Sequence, residues 1–253
     1  MTEHGARAEI RRAAPCGQIS ALPDPLADLA QLAGVPSAVA AATAAVDVVL
    51  RDRRLRSIDE DARARALAAS AEASATLTGD HDRWILGALR LSAELTALAA
   101  LIRVAPAQAL ARAHALLARG QLPDEQLGRV REGAAVSARM QGVSELLTQP
   151  STAPAVVLGA VVHAELATVA PFGEASGLVA RAAEHLVLIS AGLDPLGVIV
   201  VEAGHLADEG QYQIGLDRYS DGGVAGVARW IIQCAAAVSR GAEVSPAAGG
   251  HVP

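Results

Sequence analysis

Residues 170–181 read APFGEASGLVAR and separate two stretches whose composition is typical of helices. The stretch before them, 155–169, is almost wholly apolar, and Pro171 and Gly173 prevent it from continuing as one helix. The stretch after them, 176–191, repeats apolar residues with helical spacing. This part of the chain therefore predicts two helices joined by a short loop.

The rest of the chain repeats the pattern of helices separated by short breaks. Further helices are predicted at 27–55 (interrupted at 34–36), 57–77, 82–103, 106–120, 135–147, 211–219 and 224–239. Ser57 and Glu60 have the spacing of a capping box at the start of one of them. Residues 122–133 and 202–209 are polar and are predicted as loops, and 196–201 is the only segment with the composition of a strand. The fold class is therefore expected to be all-α.

The order of these elements suggests a division of the chain. We expect an irregular N-terminal segment at 1–24, N-terminal helices at 25–65, a main domain at 66–240 and a disordered tail at 241–253.

The composition supports a helical core and excludes several mechanisms. Apolar residues make up 52% of the 253 residues but aromatic residues only 2%, so small aliphatic side chains must build the core. All 21 basic residues are arginine, and asparagine is absent too, which we attribute to a GC-rich genome. Without lysine there is no Schiff base, no P-loop lysine and no anchor for pyridoxal phosphate.

The charge and the termini indicate where the protein works. The net charge of −6 argues against nucleic acid as a partner. The charged N-terminus does not resemble a signal peptide, and the longest uncharged run, 29–46, is interrupted by Gly34 and Pro36. Cys16 and Cys234 are far apart and are expected to be reduced thiols. We therefore expect a cytoplasmic protein that binds no membrane.

The loop segment resembles the core motif of the Fic (Fido) family, which reads His-Pro-Phe-x-Asp/Glu-Gly-Asn-Gly-Arg-x-x-Arg and lies between two helices. The matching positions are Pro171, Phe172, Glu174, Gly177 and Arg181. Features around the motif follow the order of that family too, namely His163, the segment 192–195, Tyr212, Tyr219 and the pair 230–231. The resemblance covers about 66–237. It implies a Fic-type helical bundle with the motif in its helix–loop–helix and at most a short β flap.

Four positions of the motif depart from the family. Ala170 replaces the histidine, Ala175 the first glycine, Ser176 the asparagine and Leu178 the first arginine. In the family, which transfers a nucleotide monophosphate (usually AMP from ATP) to a target hydroxyl, that histidine removes the hydroxyl's proton. Alanine cannot act as a base, so no catalytic residue is expected at position 170. Leu178 also adds no charge to bind phosphates.

The resemblance still implies a place for a nucleotide or anion. The family's glycine-rich turn presents backbone amides to phosphates at a helix N-terminus, although Ala175 is expected to be strained at the glycine's backbone angles. The candidate nucleotide- or anion-binding residues are Gly173, Glu174, Ala175, Ser176, Gly177 and Arg181. No cofactor is expected unless residual activity uses Mg-ATP, in which case Glu174 would bind the magnesium.

Two weaker similarities extend to other segments. Members of the family often carry an inhibitory helix, and Ser74, Thr78 and Gly79 occupy a comparable segment, with Thr78 in place of the glutamate that pairs with the motif's last arginine. Residues 127–131, with Gly128, Arg129 and Arg131, resemble the flap that binds the target.

Several polar residues have a structural interpretation beside the functional one. His163 is expected to be a packed, hydrogen-bonded histidine. Arg181 and His185, one turn apart, either line an anion pocket or serve internal bonds, with Arg181 bonding Glu174 or carbonyl groups. Ser176 could cap the helix that follows it. His81, His114 and His205 show no ligand spacing, so no metal site is predicted.

Three functional hypotheses remain. The first is a degenerate Fic-domain protein that acts as a binding or regulatory module for a protein partner. The second is an active nucleotidyl- or phospho-transferase with altered catalytic residues, for example with Glu174 as the base. The third is a structural protein that forms a homodimer through its Ala-rich helices.

Overall fold

The computed structural model describes residues 24–51 and 60–246. Within these ranges the chain is all-helical and contains no strand, which confirms the predicted fold class. The helices are α1 (Pro25–Leu29), α2 (Val35–Arg51), α3 (Glu60–Thr76), α4 (His81–Ala93), α5 (Leu95–Ile102), α6 (Pro106–Ala118), α7 (Ala134–Thr148), α8 (Ala155–Val169), α9 (Ser176–Ser190), α10 (Val201–Leu206), α11 (Glu209–Ser220) and α12 (Val224–Glu243). Two 3₁₀ helices, Asp124–Gln126 and Gly173–Ala175, lie in the connections.

Helices α8 and α9 form the centre of the fold and flank the loop 170–175. Ten of the fifteen residues of α8 are buried, because the helix packs against several neighbouring helices. The two helices approach closely at Gly159, where an added Cβ would lie 3.3 Å from Cγ of Glu184. The predicted helix–loop–helix is therefore confirmed, and it lies between the two hydrophobic cores.

Each core uses a different face of this central pair. The first core joins α8 and α9 to α4, α5, α6 and α7, and the second joins them to α2, α12 and the segment 198–201. Both are built mainly of Leu, Val and Ala, as the low aromatic content requires. The predicted division at 65 falls inside α3, and α2 packs on α12 within the second core.

The predicted helix 82–103 is instead two helices. The chain bends by 67° between α4 and α5, at Glu94. The bend allows α4 to pack on α3 while α5 packs on α9, so tertiary contacts override a continuous helical pattern. No single helix of the described part is long and apolar enough to cross a bilayer, although α4 and α5 taken together reach that length and composition.

The predicted strand 196–201 is wrong, because the segment packs without a partner strand. Val198, Ile199 and Val200 form a fully buried stretch that is neither helix nor strand. The buried carboxylate of Asp194 accepts hydrogen bonds from the amides of Val198 (3.1 Å) and Ile199 (2.9 Å). The apolar run therefore reflects burial, not pairing in a sheet.

Other boundaries also differ from the predictions. Residues 202–209, predicted as a polar loop, are helical over 202–206, where they belong to α10, and Glu202 is buried there. Helix α12 continues through Gly241 to Glu243, and Ser245 is buried, so 241–246 is ordered where a tail was predicted. The rest of that tail, the segment 1–23 and the capping residue Ser57 lie outside the described residues.

Candidate functional site

The motif loop begins with an unusual backbone conformation. Ala170 ends α8 in the left-handed region, with φ of 48°, where the other described residues with positive φ are glycines. Phe172 is buried and stacks on the His114 ring at a centroid distance of 4.7 Å. The loop then forms the 3₁₀ helix Gly173–Ala175 and enters α9 at Ser176.

The left-handed alanine makes a testable prediction about stability. Replacing Ala170 with glycine should raise the free energy of unfolding by about 1 kcal/mol, because glycine adopts this conformation without the steric penalty of a Cβ. The control is Ala191→Gly, at the end of α9, where φ is −85° and glycine should lower stability. Urea unfolding of both variants checks the prediction, and a loss of stability in Ala170→Gly would contradict it.

Two of the predicted loop residues behave differently from what was expected. Ala175 is buried in the first core and has φ of −78°, a backbone conformation that alanine adopts without strain. The strain expected at this position is therefore not found. The hydroxyl of Ser176 accepts a hydrogen bond from the Phe172 amide (2.9 Å) instead of capping α9. Alanine and serine therefore give a loop that closes on itself through a side chain.

The motif arginine, Arg181, is bound inside the protein. It is 2% exposed. Its Nε donates to Oγ of Ser74 (2.9 Å), its Nη2 to the carbonyl oxygen of Ser74 (2.8 Å) and its Nη1 to the hydroxyl of Tyr212 (3.1 Å). Of the two interpretations of Arg181, an anion pocket or internal hydrogen bonds, the structure shows internal hydrogen bonds, one of them to a carbonyl group. Glu174 pairs with Arg83 (2.6 Å) on the surface instead.

The predicted inhibitory segment reaches the motif through one of its three residues. Ser74, on α3, contacts Arg181 as described above. Thr78 donates from its hydroxyl to the Ala75 carbonyl (2.6 Å), and Gly79 follows with φ of 75° where the chain leaves α3. The segment therefore holds the arginine with a serine hydroxyl and a main-chain carbonyl, and no carboxylate of this segment is involved.

A cavity of about 380 Å³ opens beside the motif loop. Five of the six candidate binding residues line it, namely Gly173, Glu174, Ser176, Gly177 and Arg181. Its polar part is completed by Thr78, Thr168, Tyr212, Gln213, Asp217 and Ser220. The charged residues of the lining are two carboxylates, Glu174 and Asp217, and one guanidinium, Arg181. This balance does not favour a highly charged anion. Leu178 fills the first core instead of this cavity.

The predicted flap is fixed to the motif loop. The Arg131 amide donates to the Pro171 carbonyl (2.8 Å), and its guanidinium donates to the carbonyls of Ala170 (2.7 Å) and Val169 (3.0 Å). Gly128, with φ of 74°, donates its amide to Nδ1 of His114 (3.0 Å). Arg129 is exposed and lines a neighbouring cavity of about 530 Å³. Residues 127–131 thus close over the loop without forming strands.

The contact between Gly128 and His114 should depend on pH. Burial lowers the pKa of His114, which keeps the ring neutral and allows Nδ1 to accept the Gly128 amide. As pH falls below about 6.5 the unfolded chain takes up this proton before the folded chain does, so the stability that His114 contributes should decrease through the folded pKa. Charged groups around the adjoining cavity are Arg83, Arg129, Arg131, Glu132 and Glu174.

The measurement is hydrogen exchange at residues 127–131, corrected for intrinsic rates, between pH 7.5 and 5.5. Protection should decrease in the wild type over this range. A His114→Leu variant removes the titrating group, and its flap should show weak protection at both pH values. Equal pH dependence in the two proteins would contradict the prediction.

A second group of polar residues lies in the core behind Arg181. His163, completely buried, bonds through Nδ1 to Oε2 of Glu184 (2.6 Å) and through Nε2 to the Tyr212 hydroxyl (2.7 Å), which confirms the prediction of a packed histidine. His205 bonds through Nε2 to the same Oε2 (2.7 Å). Cys234 is fully buried beside them.

These contacts form a chain of hydrogen bonds between the buried guanidinium of Arg181 and the buried carboxylate of Glu184. Burial lowers the pKa of His163 to about 4, although the Glu184 carboxylate opposes that shift, so the ring is neutral near pH 7. Neutral His163 can donate from Nδ1 to Glu184 and accept at Nε2 from Tyr212, which in turn accepts from Arg181. Burial acts to raise the pKa of Glu184, but the interactions with His205 and His163 are stronger and lower it. Glu184 is therefore a carboxylate.

His185 does not join Arg181 in an anion pocket. It is buried, and its Nδ1 lies 3.1 Å from Oε1 of Glu202, while Nε2 lies 3.6 Å from Oδ2 of Asp194. Burial acts to lower the pKa of His185, but the carboxylates of Glu202 and Asp194 raise it to about 10. His185 therefore serves an internal ion pair that fixes α9 to α10.

A larger groove of about 980 Å³ lies between α1 and α7 and is mainly apolar. None of the predicted site residues lines it.

The sequence did not predict the cluster of His163, Glu184, His205 and Cys234. His163 and Glu184 lie 21 residues apart, as do Glu184 and His205, and each of the four comes from a different helix. No short-range spacing could reveal such a group. The available signal was the presence of ionisable residues inside otherwise apolar helices.

Comparison with known proteins adds no family to this description. A scan against protein-family models matches none of them, and a search of curated proteins finds no significant match.

Proposed function

We propose that this protein is a degenerate Fic-like domain that transfers no nucleotide and acts as a non-catalytic binding module. The observation that carries the proposal is the state of Arg181. In an active relative this arginine would pair with a phosphate. Here Arg181 is 2% exposed, and its guanidinium donates three hydrogen bonds to Ser74 and Tyr212. Position 170 lines the adjacent cavity with a methyl group, which can accept no proton.

The ligand-binding region in this proposal is the cavity of about 380 Å³ at the motif loop. Its size fits a small ligand or one side chain of a protein partner, and its polar lining would orient that group by hydrogen bonds. Two carboxylates beside one arginine favour a neutral or cationic group over a triphosphate.

An altered active enzyme is less well supported by the same geometry. Glu174, the substitute base in that hypothesis, is 73% exposed on its side chain and pairs with Arg83. Its carboxylate is solvated and already ion-paired with Arg83, so it is not held in place to remove a proton from a substrate.

The test is incubation with ATP labelled at the α-phosphate, magnesium and a lysate of the source organism. We expect no labelled protein. The Ala170→His variant should also transfer none, because restoring the base leaves Leu178 in the core and Arg181 bound to Ser74. Label transfer by the wild type that is lost in Glu174→Ala, a surface substitution, would contradict the proposal.

A further inference from the structure

Four side chains with the chemistry of metal ligands converge in the second core. His163, Glu184, His205 and Cys234 each offer one ligand atom, and these atoms lie within 4.8 Å of one another. They come from α8, α9, α10 and α12 respectively. All four are buried, with exposures between 0% and 1%. The cluster is separate from the motif cavity, whose lining includes none of the four.

From this convergence we propose that the four residues form a closed structural site for a single divalent ion of the zinc type. Two imidazoles, one thiolate and one carboxylate are a donor set that suits zinc, and a site with four protein ligands is typical of a structural ion. The two anionic ligands match the charge of the ion. The site is independent of the proposed function, because it uses no residue of the motif.

The geometry requires only small movements. Tetrahedral zinc with bonds of roughly 2.0–2.3 Å places its ligand atoms roughly 3.3–3.8 Å apart. The atom pairs His163–Glu184 and His205–Glu184, at 2.6 and 2.7 Å, would open by roughly 0.7 Å, and the wider pairs within the 4.8 Å limit would close. Such shifts are within reach of side-chain rotation.

The surroundings provide what a ligand histidine needs. The second ring nitrogen of His163 is bonded to the Tyr212 hydroxyl, which fixes the orientation of the ring in the way that outer partners orient metal ligands. Among the described residues, Oε1 of Glu184 is buried without a hydrogen-bond partner. An unpartnered buried oxygen is destabilising, and a carboxylate that binds the ion through Oε2 can turn Oε1 toward it as well.

The helices approach closely enough to hold this arrangement rigidly. Gly204 precedes His205, and an added Cβ there would lie 1.9 Å from the Ala237 carbonyl oxygen on α12. Because Gly204 has no side chain, α10, which carries His205, can pack closely on α12, which carries Cys234. An ion at the cluster would connect four helices of one core.

The experiment uses the full chain, unfolded with chelator and refolded with zinc or cobalt. After desalting, elemental analysis should find about one zinc per chain, as for a closed four-ligand site. Cobalt should give the near-ultraviolet absorption of a thiolate–cobalt bond. That absorption should disappear in Cys234→Ser and persist in the control Cys16→Ser, which removes the chain's other thiol.

Two results would overturn the proposal. One is wild-type protein that refolds to its native circular dichroism yet retains far less than one zinc per chain; the cluster is then a hydrogen-bonded network only. The other is a thiolate–cobalt band that survives Cys234→Ser or depends on Cys16. The wild-type measurement decides the matter even where a variant fails to fold.

Discussion

Replacing Arg181 with methionine should lower the free energy of unfolding by about 3 kcal/mol. Methionine retains most of the buried volume but removes three hydrogen bonds, to Ser74 Oγ, the Ser74 carbonyl and the Tyr212 hydroxyl. These groups are then left without a donor in a buried environment. The Glu184 carboxylate also loses the cation to which it is linked through Tyr212 and His163.

The matched control is Arg83→Met, an arginine that contacts the motif loop at the surface. Arg83 pairs with Glu174 at the surface, where the two side chains are 32% and 73% exposed. Exposed pairs contribute less than about 1 kcal/mol because water and salt screen them. Urea unfolding of the three proteins at pH 7 gives the comparison. Equal losses in the two variants would show that the buried network adds no stability of its own.

A large effect at Arg181 has a consequence for functional assays. In an active transferase the motif arginine would be expected to face its substrate. Here Arg181 lies at the inner wall of the cavity, bonded to Ser74 on α3 and Tyr212 on α11, and its removal should destabilise the fold. Loss of any activity in an Arg181 variant therefore needs a stability measurement beside it, whereas Glu174 can be replaced with less structural disturbance.

The helices of this fold could be predicted because the apolar residues repeat with helical spacing over long stretches. Helices α6, α7, α8 and α9 begin and end within about two residues of the predicted limits, as expected for element boundaries. The 67° bend at Glu94 could not be predicted, since neither proline nor glycine marks it. It arises from the different packing partners of α4 and α5, which local sequence does not encode.

The site could be predicted only in outline. The helix–loop–helix around 170–181 follows from the local sequence, and a family resemblance suggested the loop residues that line the cavity, but the partner of Arg181 does not follow from the local sequence. Ser74 lies 107 residues away along the chain, and only a resemblance to a family segment suggested it. In the cluster around Glu184 the resemblance pointed to His163 alone, and the four members share neither a motif nor a helix.

Replacing Gly204 with alanine should have an effect of similar size, about 3 kcal/mol of lost stability, for a purely steric reason. An added Cβ would lie 1.9 Å from the Ala237 carbonyl oxygen and 2.6 Å from its carbonyl carbon. Both are backbone atoms within α12, so no side chain can rotate to relieve the overlap. Helix α10 must move away from α12, which separates His205 from the other polar groups of the core.

The control for this substitution is Gly142→Ala on α7, where an added Cβ would have no described atom within 4 Å. There alanine should raise stability by roughly 0.5–1 kcal/mol, because glycine is the poorer residue inside a helix. The opposite signs distinguish a steric contact from a general effect of glycine. If Gly204→Ala instead gains stability like its control, α10 and α12 cannot be in the close contact described, and the geometry of the buried histidine–glutamate–cysteine cluster would lose its support as well.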